Sequence, residues 1–140
     1  MRMQTYIYFI LVLLAWGLWG FFGKFALKFI SPVSLLLFNT IGAVIVELII
    51  IVFLLYSKNK FEINTTGIVF AVLTAIFALI GTIVFFFALS KTKASILVPL
   101  TALYPVITIL VSFIFLKEKI TLVQGIGIVL AIISGFLLSI

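Results

Sequence analysis

The sequence predicts an all-α integral membrane protein with five transmembrane helices. Hydrophobic residues make up 66% of the 140 residues and charged residues only 9%, whereas a soluble domain has about 25% charged residues. The charges also lie almost entirely between long apolar blocks, where connectors meet water or lipid headgroups. We therefore expect a multi-pass protein of the cell membrane, in contact with the lipid bilayer.

Composition also narrows the function classes. The chain has no Cys and no His, which excludes disulfides, thiol redox chemistry, Cys/His zinc sites and histidine-based acid/base catalysis. The acidic residues Glu47, Glu62 and Glu118 are too few and too scattered for a carboxylate metal cage. The net charge of +6 is not a nucleic-acid footprint, because the basic residues form no stripe interleaved with aromatics. We expect no cofactor, metal, nucleic-acid partner or enzymatic activity.

The sequence up to residue 89 predicts three helices. An uncharged run of 21 residues, 3–23, predicts helix one over 5–24. A cleaved signal peptide is the alternative, but this run is longer than a usual apolar signal core and no small-x-small cleavage site follows it. Ser31 followed by Pro32 is typical of a helix start, so helix two is expected over 32–56. A polar loop separates it from helix three, expected over 67–89.

The C-terminal third predicts a helical hairpin around the charged turn at residues 117–119. Helix four is expected over 95–116 and helix five over 121–139, because crossing a hydrocarbon core of about 30 Å takes about 20 apolar residues. Pro99 and Pro105 each remove a backbone donor inside helix four, which favours a kink or a local opening. Thr121 with Gln124 predicts a capping box at the start of helix five.

Five crossings place the two termini on opposite sides of the membrane, and the Lys/Arg balance between the two faces is close. The face of the N-terminus carries five basic residues: Arg2, Lys58, Lys60, Lys117 and Lys119. The other face carries four: Lys24, Lys28, Lys91 and Lys93. Because orientation follows the Lys/Arg asymmetry of short loops, two interpretations stay open. The chain inserts in both orientations, or the small excess holds the N-terminus in the cytoplasm.

Short motifs occur along nearly the whole chain. In the N-terminal half these are Trp16-Gly17 followed by Lys24, and Ser31-Pro32. In the C-terminal half they are Ala88, Leu89, Ala94, Ser95, Pro99, Tyr104-Pro105, the LKEKIT segment at 116–121, Gly127 and Gly135. Together these motifs resemble one EamA-type repeat of the drug/metabolite transporter superfamily. Lys117 stands where the family's signature usually has Gly, and Asn39-Thr40 stand in helix two, near whose start the family often has an Arg.

The resemblance implies a secondary transporter that exports a small metabolite or drug-like solute by alternating access, with helices one, three and four around the cavity. Most such transporters carry two oppositely oriented repeats with ten helices, whereas this chain carries one. The resemblance therefore implies that this chain forms a dimer, either with an inverted identical copy or with a second half-sized chain. The alternative function is a non-transporting membrane subunit, such as an accessory for translocation of a lipid carrier.

Glu47 is the most conspicuous single residue, since it lies near the middle of apolar helix two. A charged carboxylate there is costly, so intramembrane acids are candidates for substrate binding or proton coupling. The alternatives are a neutral Glu that is hydrogen-bonded to a neighbouring helix, or a side chain that reaches toward the face of Lys58.

Further polar and aromatic residues in the helices are candidates for substrate contact: Trp16, Trp19, Lys24, Asn39 and Tyr104. Trp16 and Trp19 could stack on an aromatic or cationic substrate or serve only in packing. Lys24 could attract an anionic group or extend to lipid headgroups. Asn39 and Tyr104 could contact substrate or hydrogen-bond between helices.

Small residues mark possible packing faces. Gly127, Ala131 and Gly135 are four residues apart on helix five, and small faces let helix backbones approach closely. We expect this face to form the dimer contact, with an intrachain contact as the alternative.

Overall fold

The computed structural model describes residues 3–57 and 60–138, all of which are helical or in connections, with no strand. The helices are α1 Met3–Ala26, α2 Pro32–Tyr56, α3 Thr65–Lys91, α4 Ala94–Thr101, α5 Tyr104–Val111 and α6 Leu122–Leu137, with a π-helical turn at Ser112–Leu116 after α5. Arg2 and Lys58, which entered the charge comparison, and the expected end of helix five at Ser139 lie outside the described residues.

The predicted all-α membrane architecture is confirmed. Four stretches have the length and composition to cross a membrane, namely Thr5–Ala26, Pro32–Tyr56, Thr65–Lys91 and Ala94–Leu116. The fifth, α6, is apolar but shorter. Its 16 residues span about 24 Å at about 1.5 Å per residue. Large apolar side chains are exposed along the helices, as with Leu13 at 72% and Phe77 at 70%, which suits a surface that faces lipid.

Local hydrogen bonds explain where the helices begin. The Ser31 hydroxyl accepts from the Ser34 N–H at 3.2 Å, with Pro32 in the first turn of α2. The predicted capping box is also present at α6, where the Thr121 hydroxyl accepts from the Gln124 N–H and the Gln124 side chain accepts from the Thr121 N–H. These side chains satisfy N–H groups that have no partner within the helix.

The stretch expected to form one helix over 95–116 is divided in the structure. α4 ends at Thr101 and α5 begins at Tyr104, and then the backbone passes through the π-helical turn to Lys117. Pro99 lies inside α4 and Pro105 in the first turn of α5. The break falls between the two prolines, because Pro105 has no N–H with which to continue the ladder of α4.

The chain forms two compact units, each with its own helix contacts. One contains the described residues up to Gly20 and from Lys91 onward, and the other runs from Phe21 to Ser90. In the second unit, Phe86 and Leu89 of α3 are fully buried, and a Cβ on Gly23 of α1 would lie 3.2 Å from the Phe86 ring. This close approach makes α1 and α3 the packed centre of that unit.

Candidate functional site

Two of the candidate aromatic residues lie together in the first unit. Trp16 on α1 and Tyr104 at the start of α5 have ring centroids 6.2 Å apart and an interplanar angle of 58°. Trp16 is 62% exposed and Tyr104 is 51% exposed, so much of each ring is not covered by the rest of the chain. The faces of Trp and Tyr rings attract cations and pack against other aromatic rings.

The backbone at the break next to this aromatic pair has one carbonyl, that of Thr101, whose usual helical donor is missing. At the break, the backbone N–H groups of Ala102, Leu103 and Val106 each donate to a carbonyl of the same segment. Pro105 has no N–H, so it cannot donate to the carbonyl of Thr101, four residues before it. The Thr101 hydroxyl is turned back onto its own helix and donates to the Leu97 carbonyl at 2.9 Å. The break therefore leaves the Thr101 carbonyl oxygen without its helical donor, three residues before Tyr104.

Lys24 has a structural partner in the second unit. Its Nζ donates to the Leu89 carbonyl at 2.7 Å, and the contact is partly buried. Leu89 lies in the last turn of α3, where carbonyls lack intrahelical donors and the helix dipole favours a cation. This hydrogen bond gives Lys24 a role in joining α1 to α3 that the sequence did not indicate.

The remaining polar candidates lie on α2 or on α1 next to Trp16. Asn39 is half-buried and Glu47 is exposed. Within residues 3–57 and 60–138, no hydrogen bond or ion pair reaches the Glu47 carboxyl. Trp19 is 38% exposed and does have contacts. An exposed acid on an apolar span needs water or a polar group from another molecule.

The small face of α6 has two different environments. A Cβ on Gly135 would lie 2.8 Å from Leu103 Cδ1, so this buried glycine packs against the break within the chain. Nothing lies within 4 Å of a Cβ on Gly127. Gly127 and Ala131 line an open groove of about 410 Å³ beside α5. Gly135 therefore makes an intrachain contact, whereas no described residue covers Gly127 within 4 Å. The dimer contact expected of Gly127, Ala131 and Gly135 stays a prediction.

Comparison with known proteins identifies the family. The model of the EamA-like transporter family matches residues 3–140. The chain belongs to the EamA-like transporter family. An uncharacterized protein of Methanocaldococcus jannaschii is 38% identical to this EamA chain over 131 residues, which cover 94% of the chain and 93% of the relative. No solved structure matches the chain. The family and the apolar helices together make it a multi-pass membrane protein of the drug/metabolite transporter type.

Two features of the site in this EamA protein were missed from the sequence. Leu103 holds the break against α6, but one leucine in an apolar run gives no signal. The Thr101 carbonyl did have a signal, since it lies four residues before Pro105. Donor accounting at each proline of an apolar helix would have found it.

Proposed function

We propose that this EamA protein is a secondary transporter of the cell membrane that exports a small metabolite or drug-like solute by alternating access. The observation that carries the proposal is the pair of Trp16 and Tyr104 beside the break between α4 and α5. Substrate sites of secondary transporters are commonly built at discontinuous helices. Secondary transport is proposed because the sequence has no nucleotide-binding motif.

The transporter is proposed to work as a dimer, with an inverted copy or with a second half-sized chain. A repeat with an odd number of crossings can form an inverted-repeat architecture only by pairing with an oppositely oriented repeat. The M. jannaschii relative, matched over 93% of its length, is similar in length to this chain. The open groove at Gly127 and Ala131 and the unpaired acid at Glu47 are surfaces that a second chain would cover.

An export experiment with a mixed set of solutes tests transport without choosing the substrate in advance. Proteoliposomes are loaded with equal amounts of amino acids, nucleosides, sugars and amines, and the loss of each solute is followed by mass spectrometry. We expect at least one solute to leave faster than from protein-free liposomes.

Matched variants connect the flux to the site. Trp16→Ala should lower the rate at least tenfold, whereas Tyr8→Ala, which removes another exposed aromatic ring from α1, should leave it unchanged. If no solute leaves liposomes that contain folded protein, the proposal that the protein is a transporter is contradicted. That result would favour the membrane subunit, above all if a partner protein copurifies with the chain.

A further inference from the structure

We infer that the solute recognised at this site carries a quaternary ammonium or similar weakly hydrated organic cation, held by the rings of Trp16 and Tyr104 and by the Thr101 carbonyl. The inference rests on the proposed function and adds the sign of the substrate's charge. Three features of the first unit carry it: the aromatic faces, the acceptors at the break and the position of the charged side chains.

The aromatic pair favours a cation because the face of each ring carries negative potential. Trp gives the strongest cation–π interaction and Tyr follows it. With centroids 6.2 Å apart and a tilt of 58°, the rings form two walls at an angle and do not stack face to face. Quaternary ammonium groups are recognised by walls of this kind, because their methyl groups spread the charge over an apolar surface.

The backbone at the break adds acceptors. α4 ends at Thr101, so the negative end of its dipole lies at the break. At the N-terminus of α5, Pro105 has no N–H and the Val106 N–H donates to the Leu103 carbonyl at 3.0 Å, so neither residue has a backbone N–H free for an anion. Carbonyl oxygens of unwound membrane helices coordinate cations in other transporters. An anionic substrate would find few free donors here.

The charged side chains of the first unit lie away from the break in sequence. Among its described residues they occupy only the connectors and helix ends: Lys91, Lys93, Lys117, Glu118 and Lys119. In space, Glu118 and Lys119 line the groove beside α5 together with Leu103 and Pro105, but Trp16, Thr101 and Tyr104 do not line that groove. The described residues therefore place no fixed positive charge on the apolar spans beside the aromatic pair. The absence of an acid there also disfavours small, strongly hydrated cations, whose desolvation needs a full countercharge.

Three solutes of similar shape separate the effect of charge from that of size. Choline is the cation, neohexanol is its isostere with carbon in place of the ammonium nitrogen, and tert-butylacetate is the corresponding anion. The full chain, with its two Trp residues replaced by fluorotryptophan, gives one fluorine NMR signal for each, assigned with a Trp16→Phe variant. Each solute is titrated while the Trp16 signal is followed.

We expect choline to bind about tenfold more tightly than neohexanol and tert-butylacetate to leave the Trp16 signal unchanged. Tyr104→Leu should weaken choline binding severalfold, and Tyr8→Leu should not. Equal affinity for choline and neohexanol, or tighter binding of the anion, would overturn the inference.

The export experiment, with choline, neohexanol and tert-butylacetate added to the loaded solutes, distinguishes this failure from failure of the proposed function. Export of only neutral or anionic solutes would refute the inference that the substrate is a cation, but it would agree with the proposed transport function. Choline binding without any export would refute the transporter and leave the cation site intact.

Discussion

The packing of Gly135 against Leu103 gives the sharpest quantitative prediction, because Gly127 on the same helix is a matched control. Both glycines lie inside α6, four residues to either side of Ala131. A Cβ on Gly135 would meet Leu103 Cδ1 at 2.8 Å and two further Leu103 atoms at 3.0 Å, whereas a Cβ on Gly127 meets nothing within 4 Å. The same substitution to Ala should therefore have opposite effects at the two sites.

The magnitude follows from two terms. Carbon atoms pack best at about 3.5 to 4.0 Å, so Leu103 must retreat by about 0.7 to 1.2 Å, and overpacking of this kind costs about 1 to 3 kcal/mol. Replacing Gly by Ala inside a helix contributes about 0.8 to 1 kcal/mol of stability at either site. Gly127→Ala should thus stabilise the chain by about 1 kcal/mol. The difference between the two variants should be about 1 to 3 kcal/mol, since the helix term cancels.

Unfolding in mixed micelles with a rising fraction of sodium dodecyl sulfate measures this difference, with tryptophan fluorescence as the signal. Chemical cross-linking of the same variants in mild detergent reports the proposed dimer. Larger replacements separate the two contacts further: Gly135→Val should destabilise the monomer, whereas Gly127→Val should leave the monomer folded and reduce cross-linking. Equal free energies of unfolding for the two alanine variants would refute the assignment of Gly135 to an intrachain contact.

Three further predictions concern the connectors and the orientation of the chain. Lys117 has φ 54° and ψ 32°, a left-handed conformation in which a non-glycine residue is strained by roughly 1 to 2 kcal/mol, so Lys117→Gly should raise the free energy of unfolding while Lys119→Gly does not. Lys24→Met removes the hydrogen bond to Leu89, so it should lower the free energy of unfolding by about 1.5 to 3 kcal/mol while the folded fraction still exports. Lys28→Met should lower it less. A loss of export at unchanged stability would instead make Lys24 a substrate ligand. Reporters fused to either terminus should each be found on both sides of the membrane, and a single orientation would exclude an antiparallel homodimer.

Local sequence was sufficient for the starts of α2 and α6, whereas α3 begins at Thr65 and not at the expected residue 67, and it was insufficient for the helix contacts. The caps at Ser31 and Thr121 involve residues three apart, so the pattern that predicts them contains both partners. The prolines predicted an opening in helix four, but its place also depends on Leu103 docking onto Gly135. That contact joins residues far apart in sequence, and small-residue spacing alone does not say whether the partner is in the same chain.

The same contact links α6 to the aromatic pair. Leu103 is held by Gly135, and the next residue, Tyr104, carries the ring that meets Trp16. Since the Leu103 carbonyl also accepts the Val106 N–H at 3.0 Å, a shift of the Leu103 backbone would move the first turn of α5 and the Tyr104 ring with it. Gly135→Val should therefore weaken choline binding although residue 135 is not a ligand. If binding were unaffected while the stability fell, the break would have to be held in place by α4 and α5 alone.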